Sequence, residues 1–210
     1  MNYKEVYEQW LNNDFFDEET KADLLSIKDD EAEIEDRFYK GLEFGTAGLR
    51  GKLGAGTNRM NKYMVGKAAQ ALAETLKDHG EEAIKRGVAI SYDVRYKSKE
   101  FAELTCSIMA AHGIKTYIYN GIHPTPMCSY AIRKLHCKAG VMVTASHNPQ
   151  EYNGYKAYWE EGSQILDDIA GQIAGHMDEI VNFEDIKSIP FEEALESGLA
   201  NYIDPSVEED

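Results

Sequence analysis

The sequence predicts an α/β fold: a three-layer α/β/α sandwich with a mixed, partly parallel sheet of about four strands, preceded by an N-terminal helical segment. Two observations predict it. Short apolar runs alternate with segments of helical periodicity between residues 88 and 143, and this order produces right-handed crossovers with helices on both faces of a sheet. Residues 1–40, in contrast, are acidic and rich in helix-forming residues.

The first 87 residues divide into helical and glycine-rich parts. Apolar residues such as Trp10, Phe16 and Ile34 recur at helical spacing, which predicts two or three short helices within residues 1–40. Five glycines lie between residues 45 and 56 and indicate a loop with short extended pieces. Helical spacing then runs from Asn61 to about residue 79, and residues 81–86 are predicted to extend that helix until Gly87 ends it.

The alternating part of the chain follows. In order, the predicted elements are a strand at 88–92, a helix at 100–112 capped by Ser98, a strand at 115–119, a helix at 127–136, a strand at 139–143, an edge strand at 155–159 and a last helix at 165–181. The length of 210 residues suits one good core. We therefore expect a helical extension at 1–40, an α/β domain at 41–200 and an acidic tail at 201–210.

Composition argues against several function classes. The chain has 37 acidic and 22 basic side chains and a net charge of -15, so it repels nucleic acid and anionic membranes. No apolar run approaches the ~20 residues of a membrane span, and the N-terminus lacks the apolar core of a signal peptide. We expect a cytoplasmic protein that binds neither nucleic acid nor membranes. Cys106, Cys128 and Cys137 form no C-x-x-C pair, so we expect buried, reduced thiols.

Polar residues follow two of the predicted strands. The stretch Thr-Ala-Ser-His-Asn-Pro at residues 144–149 comes after the strand at 139–143, and ligands bind at the carboxyl ends of strands in open α/β sheets. A serine there is either a nucleophile, a phosphate carrier or an ordinary turn residue before a proline. Asp93 and Arg95 follow the strand at 88–92. They either orient the loops through an ion pair or form a structural or solvated pair of little energetic value.

Familiar nucleotide, hydrolase and metal motifs do not fit. Arg50 and Lys52 lie in the glycine-rich segment, where guanidinium and backbone N–H groups can hold a phosphate, but the spacing matches neither a Walker A loop nor a dinucleotide fingerprint. Ser146 is not a hydrolase nucleophile elbow, because Thr144 and Asn148 occupy the positions that need glycine. The sequence also lacks H-E-x-x-H and Asp-x-Asp patterns.

Three segments together resemble the α-D-phosphohexomutases, the phosphoglucomutase and phosphomannomutase family. Phe-Gly-Thr-Ala-Gly-Leu-Arg-Gly at residues 44–51 resembles the family's N-terminal signature, and Pro-Thr-Pro at 124–126 resembles another recurrent loop. Residues 144–149, followed by Tyr-Asn-Gly-Tyr-Lys at 152–156, resemble its active-site segment. The sequence of residues 42–48 is more similar to the phosphoglucomutase and phosphopentomutase branch than to the phosphomannomutase branch. The resemblance covers about residues 40–160.

The resemblance implies a role for each matching residue. Ser146 would be the phosphoserine that gives its phosphoryl group to the sugar phosphate and takes one back. His147 and Lys156 would serve proton transfer and charge stabilisation, and Arg50 would reach the transferring phosphoryl group. Phosphate and substrate binding is implied for Thr46, Gly48, Arg50 and Asn148. Magnesium would bind Ser146 through its phosphate, with the remaining ligands absent from this chain.

The implied activity is that of a phosphoglucomutase-type isomerase of carbohydrate metabolism. It moves a phosphoryl group between C1 and C6 of a hexose through a bisphosphate, with glucose 1,6-bisphosphate as the phosphoryl donor. The resemblance implies a four-domain enzyme, so this chain looks like domain I alone. Its implied partners are a sugar phosphate and domains II to IV of the same enzyme. Alone, it is expected to be incompetent for turnover. The alternatives are a phosphopentomutase or phosphomannomutase domain, or a non-catalytic module that binds phosphate or sugar phosphate.

Overall fold

The N-terminal segment consists of short capped helices. A computed structural model describes residues 2–46 and 48–208, so Met1, the signature residue Ala47 and the tail residues 209–210 lie outside it. The described segment forms α1 (Tyr3–Asn12), α2 (Glu18–Ser26) and α3 (Glu31–Phe38), in agreement with the two or three helices predicted. A side-chain oxygen accepts a first-turn N–H at each start; the cap residues are Asn2, Asp17 and Asp30.

An aromatic cluster attaches these helices to the rest of the chain. Trp10 stacks on Phe16 with 4.2 Å between ring centroids and meets Phe38 edge to face at 5.7 Å. The same indole lies 5.4 Å from the rings of Tyr63 and Phe183, which belong to later parts of the chain. The aromatic face of these N-terminal helices therefore packs against Tyr63 and Phe183.

The glycine-rich segment contains one strand and leads into a long helix. Strand β1 is Leu49–Lys52, and α4 is Lys62–Asp78. Asn61 caps α4 by accepting the N–H groups of Tyr63 and Met64. Gly80 has a φ of +88°, which ends the helical path, so residues 81–86 form a separate helix α5 (Glu81–Arg86) rather than the extension that the sequence predicts.

The alternating order of strands and helices is confirmed. The remaining strands and α-helices are β2 (Val88–Tyr92), α6 (Ser98–Ala111), β3 (Thr116–Ile118), α7 (Thr125–Lys134), β4 (Ala139–Val143), β5 (Tyr152–Trp159), α8 (Asp167–Glu179), α9 (Phe191–Glu196) and β6 (Ala200–Tyr202). One cap differs from the prediction. Lys97, with a φ of +65°, is the cap of α6, and Ser98 is its first residue. The Ser98 hydroxyl instead donates to Asp93 Oδ1 at 3.0 Å.

The described residues form a six-stranded mixed sheet in the order β1-β5-β4-β2-β3-β6. Strands β4, β2, β3 and β6 run parallel, and β5 is antiparallel to both β4 and β1. The predicted fold class is therefore confirmed, with two strands more than the expected four. β5 is not the edge strand that the sequence predicts, because β1 pairs along its outer side.

Apolar clusters cover both faces of the sheet. The larger cluster includes residues of α4, α6 and α8, and the smaller one lies beneath α7 and includes Tyr119, Ile132 and Met142. Cys106, Cys128 and Cys137 are buried and free, as predicted. Burial raises the pKa of the Cys106 and Cys137 thiols to about 12, so these side chains act as small core residues.

Candidate functional site

The site lies at the carboxyl edge of the parallel strands. Because β2 and β4 are parallel neighbours, the loops that follow them leave the sheet side by side. The Asp93 N–H donates to Val143 O at 3.2 Å, and the Thr144 N–H donates to Gly154 O at 3.0 Å. These bonds hold the starts of the two loops together beside β5. Asp93, Thr144 and Lys156 are therefore neighbours at this end of the sheet.

Ser146 is presented at an exposed turn of the loop after β4. Its φ of +57° lies in the left-handed region, which is uncommon for a residue other than glycine. The Ser146 N–H donates to Thr144 Oγ1 at 2.9 Å, and the Asn148 N–H donates to Ala145 O at 3.0 Å. Ser146 and the neighbouring His147 are both exposed. The turn thus offers a hydroxyl and an imidazole to a ligand in solution.

Arg95 supports this turn from the neighbouring loop. Its Nη1 donates to the carbonyl oxygens of Pro149 at 2.8 Å and Tyr152 at 2.9 Å. Its Nη2 donates to those of Ser146 at 2.8 Å and Asn148 at 2.6 Å. The side chain is only 13% exposed. Among the interpretations that the sequence left open for the pair at 93 and 95, these contacts agree with orientation of the loop and argue against a solvated pair.

Asp93 connects the two loops from below. Its Oδ2 accepts the Thr144 hydroxyl at 2.5 Å, and its Oδ1 accepts the Ser98 hydroxyl and the Arg95 N–H, each at 3.0 Å. Arg95 Nε lies 3.6 Å from Oδ2. Each carboxylate oxygen therefore already has protein partners.

Two cationic side chains lie on the adjoining strands. Arg50 on β1 is opposite Gly154, and Lys156 is two residues further along β5 on the same face. Arg50 Nη1 donates to Asn148 Oδ1 at 3.0 Å, which connects β1 to the Ser146 loop. Lys156 is 8% exposed. Its burial, and then the charge of Arg50, lower the pKa of its amine, whereas Asp93 acts to raise it.

Two glycines allow these strands to approach. Gly48 has a φ of +75°, and a Cβ there would lie 1.9 Å from Tyr155 O. A Cβ on Gly154 would lie 2.6 Å from Thr144 O. The Gly48 N–H donates to Gly45 O at 2.7 Å and closes a tight turn in which Thr46 is exposed. Only glycine permits this close approach without displacing β1 from β5.

The structure thus brings the sequence-predicted residues to one edge of the sheet, although they come from three segments. Arg50 and Asn148 are in direct contact, Lys156 lies on the same strand face, and Ser146 and His147 form the exposed turn. Sequence reasoning assigned no site role to Thr144 and left the role of Arg95 open. An open depression of about 580 Å³ adjoins the turn; its lining residues are Asp93, Val94, Arg95, Tyr96, Ser146, Asn148 and Gln150.

A family comparison identifies this architecture. Residues 41–183 match the model described as phosphoglucomutase/phosphomannomutase, alpha/beta/alpha domain I. The chain belongs to the phosphoglucomutase/phosphomannomutase family. The matched residues include β1, the Ser146 loop and β5, and they end at Phe183 of the aromatic cluster.

Named relatives of this family are longer than the chain. It is 38% identical over 179 residues to a phosphoglucomutase of Staphylococcus epidermidis, covering 85% of this chain and 30% of the relative. It is 40% identical over 165 residues to a probable phosphoribomutase of Schizosaccharomyces pombe, covering 78% and 28%. A solved putative phosphomannomutase from Thermus thermophilus superposes with a TM-score of 0.63 at 26% identity, covering 79% and 34%. The chain spans less than a third of the length of these two sequence relatives.

Metal-ligating side chains do not cluster in the described part of the chain. Residues 2–46 and 48–208 contain no group of three His, Cys, Asp or Glu side chains able to hold a metal ion. Asp93, the carboxylate beneath the Ser146 loop, is already bonded to Thr144, Ser98 and the Arg95 backbone. Among the helices of the same described residues, none has the length and apolar character to cross a bilayer.

Proposed function

We propose that this chain is the phosphoserine-bearing part of a phosphoglucomutase-type enzyme that interconverts glucose 1-phosphate and glucose 6-phosphate through a bisphosphate. One observation carries the proposal. Ser146 stands at an exposed turn whose Asn148 is hydrogen-bonded to Arg50, and Lys156 lies on the same strand face as Arg50, in a chain whose net charge is -15. A local concentration of cations next to an exposed hydroxyl suits an acceptor and donor of phosphoryl groups.

The proposed reaction transfers one phosphoryl group in each direction. Ser146 Oγ forms a bond to phosphorus as the ester bond of glucose 1,6-bisphosphate breaks, and the serine proton passes to the released sugar oxygen. The reverse step places the phosphoryl group on the other carbon of a sugar phosphate. Arg50 and Lys156 stabilise charge that spreads over three phosphoryl oxygens. His147 adjoins Ser146 and would move the proton at Oγ.

Other residues would bind and orient the phosphate groups. Asn148 contacts Arg50 and would hold it against the phosphorylated serine. Thr46 would donate its exposed hydroxyl to substrate phosphate, and Gly48 would shape the turn that presents it. These assignments follow the family resemblance together with the placement of both turns beside β5.

Magnesium and the sugar site are proposed to require more than this chain. The phosphate on Ser146 would supply one magnesium ligand, and since the described carboxylates form no cluster, the others would come from outside. Domains II to IV of the same enzyme are the proposed partners, because the chain covers about 30% of its phosphoglucomutase relative. The chain alone is then expected to show negligible turnover, and the cytoplasm is its proposed location.

Phosphoryl uptake on Ser146 tests the proposal. Intact-mass analysis of the chain with glucose 1,6-bisphosphate and magnesium should detect one added phosphoryl group, mapped to Ser146 by peptide analysis. The matched Ser146→Ala variant should gain none. An adduct elsewhere would favour the non-catalytic phosphate-binding module, and no adduct would favour either that module or a domain that cannot phosphorylate itself unaided. Conversion of glucose 1-phosphate by the chain at ordinary mutase efficiency would contradict the expected need for the other domains.

A second candidate function is a mutase for another sugar phosphate. The relative named a probable phosphoribomutase is 40% identical, which favours a pentose phosphate, and the solved neighbour titled a putative phosphomannomutase favours a mannose phosphate. The same mass experiment with ribose 1,5-bisphosphate or mannose 1,6-bisphosphate distinguishes them. Faster uptake on Ser146 from one of these donors than from glucose 1,6-bisphosphate would replace glucose in the proposal.

A further inference from the structure

Arg95 has no role in the family resemblance, yet its guanidinium is wholly engaged with one loop. It donates four hydrogen bonds of 2.6 to 2.9 Å to carbonyl oxygens between residues 146 and 152. Its remaining nitrogen, Nε, faces Asp93 Oδ2 at 3.6 Å. All three nitrogens are thus directed at protein atoms. A guanidinium in this state has no free fork for bidentate phosphate binding.

The loop needs this support because Ser146 has an unfavourable backbone conformation. The left-handed region costs an L-residue about 1–2 kcal/mol, and such residues persist where their surroundings fix them. Both peptide groups that flank Ser146 are fixed here. Thr144 Oγ1 accepts the Ser146 N–H at 2.9 Å, and Arg95 Nη2 donates to the Ser146 carbonyl at 2.8 Å.

These two bonds determine the direction in which the Ser146 side chain leaves the backbone. The φ angle of Ser146 is the rotation about its N–Cα bond, and Thr144 holds the peptide group on that side. The ψ angle is the rotation about its Cα–C bond, and Arg95 holds the peptide group on that side. Fixing both sets the direction of the Cα–Cβ bond. Asp93 then joins the two supports, since its carboxylate accepts the Thr144 hydroxyl at 2.5 Å and the Arg95 N–H at 3.0 Å.

We propose that Arg95 is a positioning residue for phosphoryl transfer at Ser146. With Thr144 and Asp93 it holds Ser146 in the left-handed conformation, which keeps the position of the Cβ atom that carries Oγ constant relative to Arg50, and it does not contact the phosphate. The inference rests on the proposed function and adds to it a residue that acts through the loop. Its importance follows from geometry, because a displacement of 1 Å at a reacting atom can lower a rate on the order of 100-fold.

Nuclear magnetic resonance of the unphosphorylated chain tests the conformational claim. Arg95→Lys keeps the charge, but one amine cannot bind four carbonyl groups in the plane of a guanidinium. The carbon shifts and the HN–Hα coupling of Ser146 should then lose their left-handed signature, and amide exchange in residues 146–152 should accelerate by about tenfold or more. The control is Arg133→Lys on α7, where the exposed arginine bonds Ser129 O, and it should change neither.

An unchanged Ser146 signature in Arg95→Lys would overturn the inference, whether or not the chain takes up a phosphoryl group. Thr144→Val provides a second route if Arg95→Lys does not fold. It removes the hydroxyl that accepts the Ser146 N–H while keeping a similar shape, so the same loss of signature is expected. Retention of the left-handed signature in Thr144→Val would equally contradict the inference.

Transfer kinetics separate positioning from phosphate binding. With glucose 1,6-bisphosphate as donor, Arg95→Lys should lower the saturating rate of Ser146 phosphorylation on the order of 10- to 100-fold and leave the half-saturating donor concentration within about twofold. A raised half-saturating concentration with an unchanged maximal rate would make Arg95 a phosphate ligand and refute the proposal. If the unaltered chain takes up no phosphoryl group, that result counts against the proposed function, and the resonance experiment still decides the role of Arg95.

Discussion

Replacement of Trp10 by alanine tests whether the N-terminal helices and the α/β domain unfold as one unit. Trp10 is 3% exposed. Its ring contacts Phe16 and Phe38 within the extension, and Tyr63 and Phe183 beyond it. Removal of the indole therefore weakens the interface between the two parts as well as the packing within the extension.

The expected loss of stability is large. A buried tryptophan removes roughly 150–250 Å² from water, which at about 25 cal/mol per Å² gives an upper estimate of about 4–6 kcal/mol. Core Trp→Ala substitutions cost about 3–5 kcal/mol. We expect the free energy of unfolding to fall by about 4 kcal/mol, a large part of the roughly 5–15 kcal/mol that domains possess.

Urea unfolding provides the assay, because the chain has two tryptophans. In Trp10→Ala, fluorescence reports only Trp159 on β5, and far-UV circular dichroism reports all helices. Both transitions should coincide at a lower midpoint than in the unaltered chain. Leu25→Ala, at a side chain that is 51% exposed, is the control and should change stability by only about 0.5 kcal/mol. An unchanged Trp159 midpoint with earlier loss of helix would refute the reasoning and make the extension an independent unit.

Three further predictions concern the site and its frame. Arg50→Met should raise the pKa of Lys156 toward its ordinary range, since burial and then Arg50 lower it; a resonance titration of the lysine amine measures this. Gly48→Ala should destabilise the chain by at least about 1–2 kcal/mol, because its φ is +75° and Tyr155 O would lie 1.9 Å from the new carbon; urea midpoints measure this. His176 bonds Asp78 at 2.8 Å and Glu179 at 3.2 Å. Although burial lowers the pKa of His176, these bonds give a net rise. The stabilisation that the protonated imidazole gives the folded chain is therefore present below the ordinary histidine pKa of about 6.5, and it is lost as pH rises through the folded-state pKa. His176→Gln should remove this pH dependence from the urea midpoint.

Each of these predictions has its own contradicting result. Lys85→Met removes an exposed lysine on α5 and should leave the Lys156 titration unchanged; an equal shift in both variants would deny a specific effect of Arg50. Gly175→Ala on α8 meets no atom within 4 Å and should stabilise by roughly 0.5–1 kcal/mol, so a loss equal to that of Gly48→Ala would deny the conformational argument. Asp78→Asn should reproduce part of the His176→Gln effect, and a full pH response in either variant would count against the ion pair.

The centre of the fold could be predicted from the sequence, whereas the margins of the sheet could not. The bounds of β2 and β4 match the prediction because each is a continuous apolar run buried on both faces. β1 contains Arg50, Gly51 and Lys52 and has no apolar pattern, so the register with β5 defines it as a strand. β6 has three residues and is defined by its pairing with β3. Short strands of this kind are specified by their partners.

The site shows the same division. Ser146, Arg50 and Lys156 could be found because their side chains belong to recognisable segments. The role of Arg95 could not, because its acceptors are backbone carbonyls that lie 51 to 57 residues later in the chain, and carbonyl groups have no signature in a sequence. The Asp-x-Arg pattern after β2 was the available signal. Only the parallel pairing of β2 with β4 brings that arginine beneath the loop.

The pairing of β1 with β5 has a consequence for the order of folding. Arg50 and Asn148 are separated by 98 positions in the chain, and contacts at such separation close slowly because of the entropy of the intervening loop. β4 and β5, in contrast, are joined by a short connection. We expect the serine turn to form before β1 adds its arginine, so that a partly folded chain has the hydroxyl without its cation. Pulse-labelled hydrogen exchange in which Leu49 and Gly51 gain protection together with β4 would contradict this order.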